Sequence, residues 1–171
     1  MPSATPSNQT GQAPTAAAGV LVILGASGDL TKRLLMPAIY NLACEGLLPD
    51  EFAVVGMALT DLTTAEFRAG QRQEIARFAT RKTFDEDRWQ WLESRLHYTP
   101  GNFADPVAYD RLMKLVLEVG QETGAAGNTL IYLAISPDFF AEVNQHLDAA
   151  GFTRMPGVKR IIVEKPFGKD L

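Results

Sequence analysis

The run Val20-Leu21-Val22-Ile23-Leu24 passes directly into Gly25-Ala26-Ser27-Gly28-Asp29-Leu30, and no other stretch limits the fold as strongly. A continuously apolar, β-branched run offers no polar face to water. It reads as a strand covered on both sides, as in a parallel sheet flanked by helices. The glycine turn then opens a helix. From Leu30, apolar residues recur at Leu34, Leu35, Ala38, Ile39 and Leu42, one face of a 3.6-residue period. Pro37 must either kink this helix or mark a fresh first turn, and Gly46 is its expected stop.

Residues 52–58, 129–135 and 158–163 have the same apolar character, and helical patterns lie between them. Thr63-Thr64-Ala65-Glu66 fits a capping box, with Thr63 as N-cap, and opens a helix through Phe67, Ile75 and Phe78. A shorter helix is expected over 85–94. Asp105-Pro106 starts another, with Ala108, Leu112, Leu115, Val116 and Val119 on one face. Ser136-Pro137 starts the last, with Phe140, Val143 and Leu147 inside and Gly151 after it. Strands alternating with helices imply right-handed crossovers. The expected class is therefore α/β: a doubly wound, mainly parallel, Rossmann-like sheet in three layers.

Composition narrows the function. Of 171 residues, 16 are basic and 20 acidic, a net charge of −4, and there is no Lys/Arg block. Nucleic acid and anionic membranes are therefore not expected partners. No apolar run approaches the roughly 20 residues of a membrane span. The single cysteine, Cys44, cannot form an internal disulfide, which fits a reducing, cytoplasmic setting. Residues 1–19 carry no charged and no large aliphatic side chain and read as a disordered tail, so the domain is expected over 20–171.

The turn itself suggests a ligand. Gly25 permits a bend that a Cβ would hinder, and Gly28 lets backbone approach a pyrophosphate, which the amides of the helix start would face. The plain alternative is a tight strand–helix connection without a ligand. A P-loop is excluded, because Leu30-Thr31 stands where Gly-Lys-Ser/Thr would be needed. A short-chain dehydrogenase is excluded as well: none of Tyr40, Tyr98, Tyr109 or Tyr132 has Lys four positions on.

The segment Gly25-Ala26-Ser27-Gly28-Asp29-Leu30-Thr31-Lys32-Arg33 resembles the G-x-x-G-D-L-[AT]-[KR]-[KR] segment of glucose-6-phosphate dehydrogenases. Glu164-Lys165-Pro166-Phe167-Gly168 resembles the E-K-P-F-G signature of that family. Tyr132-Leu133-Ala134-Ile135-Ser136-Pro137 resembles the strand that ends beside its cofactor. The resemblance runs from Val20 to Leu171. It implies oxidation of glucose 6-phosphate to 6-phosphogluconolactone, the first step of the pentose phosphate pathway, with hydride passing to NADP or NAD. It also implies that Gly25, Ala26, Ser27, Gly28, Asp29, Leu30, Leu59, Asp61, Ile135, Ser136 and Pro137 border the cofactor. Lys165, aimed by a cis bond to Pro166, would reach both cofactor and substrate. A homo-oligomeric full-length enzyme is implied, with a C-terminal domain beyond this chain.

Two positions depart from the family pattern. Leu34 stands where a third basic residue would approach the substrate phosphate, and Leu59 stands where NADP-dependent members place an arginine. Asp61, close by, would accept from a ribose 2′-hydroxyl and repel a 2′-phosphate, which tilts the expectation toward NAD or dual use. Arg68 or Arg72 could supply a substitute charge. No catalytic residue is expected here: the family's base is a histidine in an R-x-D-H-Y-like motif beyond E-K-P-F-G, which neither His97 nor His146 matches, and no metal spacing is present. The chain alone should bind cofactor without turnover. The alternative is a non-catalytic NAD(P)-binding regulatory paralogue. Cys44, at least one of Trp89 and Trp91, and Phe139-Phe140 are expected in the core.

Overall fold

A computed structural model describes residues 16–125 and 127–164. Five strands form one sheet in the order β3-β2-β1-β4-β5. They are β1 Gly19–Leu24, β2 Phe52–Ala58, β3 Leu96–Pro100, β4 Thr129–Leu133 and β5 Lys159–Val163. Every pairing is parallel. The connecting helices are α1 Met36–Cys44, α2 Thr64–Phe78, α3 Glu86–Glu93, α4 Pro106–Thr123 and α5 Phe140–Ala149. This is the doubly wound, three-layer arrangement expected from the alternation of strand and helix patterns.

The two faces of β1 and β2 build two cores. Val20, Val22, Leu24, Val55 and Met57 pack under α4 and α5, against Tyr109, Leu112, Val116 and Leu147. Leu21, Ile23 and Val54 pack under α1, α2 and α3, against Ile39, Tyr40, Phe67, Ile75 and Trp89. Full burial of a large apolar side chain contributes roughly 1.5–3 kcal/mol. The central strands thus hold the fold through both faces, and their apolar runs follow from that double burial.

The helix ends follow local chemistry. Thr63 Oγ1 accepts from the Glu66 amide at 3.2 Å, and the Glu66 carboxylate accepts from the Thr63 amide at 2.8 Å, closing the capping box. Asp85 and Asp105 cap α3 and α4. After α1, the Gly46 amide donates to the Ala43 carbonyl and the Leu47 amide to Leu42, a Schellman closure that needs the left-handed φ of +68° at Gly46.

Three expectations are corrected. The apolar face assigned to the first helix is split. Residues Thr31–Leu35 form a π-helical turn, with the Met36 amide donating to the Thr31 carbonyl, and the regular helix begins at Met36 with Pro37 in its first turn. The wider turn shifts the phase of the helix, so Ile39, Tyr40 and Ala43 are buried while Leu34, Ala38 and Leu42 are exposed. Strand β5 is not covered on both sides: among the described residues no helix packs closely over it, and Arg160, Ile161 and Ile162 are exposed. Phe139 is also outside the core. It falls in a 3₁₀ turn, Pro137–Phe139, and stands exposed beside Phe103 at 6.2 Å. Phe140 packs against the core, Trp89 is buried and Cys44 is half-buried at its margin.

Thr63→Ala removes one half of the capping box. It is expected to lower unfolding stability by about 1 kcal/mol in urea denaturation, with unchanged secondary structure by circular dichroism.

Candidate coenzyme site

The carboxyl ends of β1, β2 and β4 converge, and the glycine turn sits between the other two because β1 is the middle strand. In a doubly wound sheet this is where the connections diverge to opposite faces and leave a crevice.

The turn is held by its inward-facing polar groups. The amides of Gly25 and Ala26 both donate to the Met57 carbonyl, at 2.8 and 3.2 Å. The Gly25 carbonyl accepts from the Gly28 amide at 2.9 Å and from the fully buried Thr31 hydroxyl at 3.1 Å. Among the described residues, the amides of Ser27, Asp29 and Leu30 have no protein acceptor. They stand at the start of the helical segment, where the orphan N–H groups and the dipole favour an anion.

Gly25 and Gly28 differ in what demands them. Gly25 has φ +91°, and a Cβ there would lie 2.2 Å from the Ala134 carbonyl oxygen and 3.1 Å from Ile135 Cγ2. The turn therefore lies directly on the end of β4, which brings Ile135, and with it Ser136 and Pro137, alongside. Gly28 has no positive φ, and a Cβ there would meet only the Gly25 carbonyl, at 3.0 Å, among the described residues. The space over Gly28 is open on its other side.

The end of β2 closes the second flank. Ser27 Oγ lies 2.9 Å from Thr60 Oγ1. The Tyr98 hydroxyl donates to the Thr60 carbonyl at 2.6 Å, fixing Leu59-Thr60-Asp61 beside the turn. Burial pushes the Tyr98 phenol up, and Asp61 adds to the shift, so Tyr98 stays a neutral donor. Leu59 is 67% exposed at the end of β2. The structure thus brings together Gly25 to Leu30, Leu59 to Asp61 and Ile135 to Pro137. Lys165 and its bond to Pro166 lie outside the described residues. Glu164, just before it, accepts a hydrogen bond from the Tyr132 hydroxyl.

Several candidates are placed elsewhere. Arg68 Nε donates to the Leu96 carbonyl at 2.8 Å, at the amino end of β3, and Arg72 pairs with Glu86 and lies over Phe84. Neither guanidinium stands at the end of β2, so neither replaces the arginine absent at Leu59. Arg33 pairs with Asp29 at 3.4 Å and stacks on Phe78 at 5.2 Å. Lys32 lines the same small charged hollow as Arg33, with Glu74 and Arg77. His97 pairs in register with Val55 near the amino end of the edge strand β3, and burial, aided by nearby Arg68, holds it below the ordinary imidazole range. His146 lies on α5 against Tyr109, at 5.0 Å. Among the described residues, no three His, Cys, Asp or Glu side chains converge as metal ligands, and no helix is long and apolar enough to cross a membrane. A groove of about 410 Å³ lies at the amino ends of β1, β2 and β4, the wrong end of the sheet for a dinucleotide.

Sequence reading missed how β1, β2 and β4 are tied together at the turn. Gly56, an apolar-strand glycine with no evident turn role, was the available signal. A Cβ there would lie 2.6 Å from Ala26 Cβ, so its absence makes room for the turn.

Residues 22–171 match the family model described as glucose-6-phosphate dehydrogenase, NAD binding domain. The chain is 40% identical over 157 residues to glucose-6-phosphate 1-dehydrogenase of Chlamydia muridarum, covering 89% of this chain and 31% of that protein. It is 37% identical over 153 residues to glucose-6-phosphate 1-dehydrogenase 2 of Mycobacterium bovis, covering 88% of this chain and 30% of that one. A solved glucose-6-phosphate dehydrogenase in complex with its substrate glucose-6-phosphate superposes with TM-score 0.78 at 29% identity, over 92% of this chain and 32% of the other. The chain thus spans about a third of the length of these relatives.

The two glycines should separate in experiment. Gly25→Ala is expected to destabilise the fold by about 2–4 kcal/mol, through backbone strain and the clash with Ala134. Gly28→Ala is expected to cost less than about 1 kcal/mol in denaturation while weakening dinucleotide binding at least ten-fold by calorimetry.

Proposed function

The chain belongs to the glucose-6-phosphate dehydrogenase family, and we propose from that premise that it is the coenzyme-binding part of such an enzyme. The observation that supports this best is the set of three amides, Ser27, Asp29 and Leu30, that have no acceptor among the described residues and stand at the switch point of the sheet. Free N–H donors at a helix start suit the pyrophosphate of a nicotinamide dinucleotide. The adenosine half would lie over the end of β2, where exposed Leu59 offers an apolar surface for adenine and Asp61 an acceptor for a ribose hydroxyl. The nicotinamide half would lie toward Ile135, Ser136 and Pro137, with Lys165 directed at the sugar phosphate.

The reaction is hydride transfer from C1 of glucose 6-phosphate to NADP or NAD, giving 6-phosphogluconolactone. When bound, the nicotinamide accepts the hydride. The residues of this chain would hold and orient it, and the family resemblance implies that Lys165 meets the substrate. A general base must take the C1 hydroxyl proton, and neither His97 nor His146 stands at the crevice. The 171-residue chain is therefore expected to bind cofactor and to release no reduced dinucleotide from glucose 6-phosphate. The exposed Leu34, Val158, Ile161 and Ile162 suit packing against a further domain or a second subunit of an oligomeric enzyme. The lone Cys44 suits a reducing, cytoplasmic setting.

Cofactor choice rests on the end of β2. With Leu59 and Asp61 there, and Arg68 and Arg72 engaged elsewhere, a 2′-phosphate meets neither of those guanidinium groups at the end of β2. Calorimetric titration is expected to give NAD affinity equal to or better than NADP affinity. Leu59→Arg is expected to shift the ratio at least ten-fold toward NADP, since a bidentate charge-assisted pair contributes roughly 1.5–3 kcal/mol. No binding of either dinucleotide at millimolar concentration would overturn the assignment.

A further inference from the structure

We propose that Gln71, on the buried side of α2, is a positioning residue that turns the Ala26–Ser27 peptide so that its N–H faces the bound diphosphate. The inference deepens the coenzyme assignment above and rests on it. Gln71 is only 2% exposed, and it is one of only four buried polar side chains among the described residues. It lies one helical turn after Phe67 on the face of α2 that meets the core. Its Nε2 donates to the Ala26 carbonyl at 3.5 Å, whereas its Oε1 is buried with no hydrogen-bond partner.

Burying an amide whose oxygen has no partner is unfavourable. A leucine or methionine of similar volume would fill the same place in the core without that penalty. A glutamine here is accounted for by what its donor does. The peptide bond is planar and trans, so a carbonyl and the N–H of the same unit point in opposite directions. Drawing the Ala26 carbonyl inward to Gln71 directs the Ser27 N–H outward, and that N–H has no protein acceptor among the described residues.

The remaining inward groups of the turn are already tied by backbone and Thr31. Met57 takes the amides of Gly25 and Ala26, and the Gly25 carbonyl takes Gly28 and Thr31. The Ala26 carbonyl is the one left for a side chain from another helix. Gln71 therefore links the position of α2 to the orientation of a phosphate-binding amide. Preorganised donors bind an anion better than donors that must be turned toward it, because the ordering is completed before binding.

The test is Gln71→Met in the 171-residue chain, which keeps the length and packing and removes the amide. Binding of ADP and of adenosine is followed by amide chemical shifts, and stability by thermal unfolding. The expected result is an ADP affinity lowered about five-fold or more, with adenosine affinity unchanged, since adenosine has no phosphate to meet the Ser27 amide. The melting temperature should stay within about 4 °C of the parent. Equal ADP affinity in the two proteins would overturn the inference and leave the coenzyme assignment standing. Parallel loss of ADP and adenosine binding with a lower melting temperature would also overturn it, making Gln71 a packing residue. Failure of the parent chain to bind ADP would instead remove the coenzyme assignment, and this inference with it. Should Gln71→Met not fold, Gln71→Leu provides the same comparison.

Discussion

The site depends on how closely the turn after β1 lies against the end of β4. Gly25 has no side chain, adopts a left-handed φ, and rests where a Cβ would fall 2.2 Å from the Ala134 carbonyl oxygen. That approach puts the glycine turn and residues 134–137 in one crevice. The same turn is fastened to β2 by two amides sharing the Met57 carbonyl. Three neighbouring strands thus meet at one tetrapeptide, and everything proposed for the site requires this arrangement to be rigid. Rigidity comes from below, because Val22, Ile23 and Leu24 are completely buried and β1 is packed on both faces.

A turn so fastened has a definite polarity. Its inward donors and acceptors are matched to protein groups, and its outward amides are not. The first amides of any helix lack intrahelical acceptors, and here those of Ser27, Asp29 and Leu30, with no acceptor among the described residues, stand at the switch point of the sheet, where an anion can meet them. The net charge of −4 does not attract an anion to the chain as a whole. Local backbone dipoles, not overall charge, make this corner favourable to a diphosphate.

Much of this was legible from residue order. The buried strands β1 and β2 show as unbroken apolar runs, and Thr63 and Glu66 announce a helix start by themselves, because caps and periodicity are local physics. Where non-local geometry decides, the sequence is silent. The exposure of Leu34 and Leu42 follows from one π turn, whose extra residue per turn cannot be seen in a pattern read at 3.6. The exposure of β5 follows from the lack of a helix packed closely over it among the described residues, whereas β3, at the opposite edge, is covered by α2 and α4; composition does not encode that difference. Arg68 and Arg72 look available at the end of β2 by distance along the chain, yet helix direction carries them away from it. The glycine turn was nameable from its place between a buried strand and a helix, whereas Leu59, Asp61 and Ile135 to Pro137 were named through the family resemblance. The bonds that orient them, through Met57, Thr31 and Tyr98, needed the fold.

The central claim is that the turn is already arranged for an anion before any arrives. Hydrogen exchange of backbone amides, read by NMR with and without NAD, tests it directly. Without ligand, the amides of Gly25 and Ala26 should be protected by Met57, while those of Ser27, Asp29 and Leu30 exchange rapidly. With NAD, the latter three should become protected while Gly25 and Ala26 change little. Protection gained instead around the groove at the amino ends of the strands, or fast exchange at Gly25 and Ala26 in the free protein, would contradict the account.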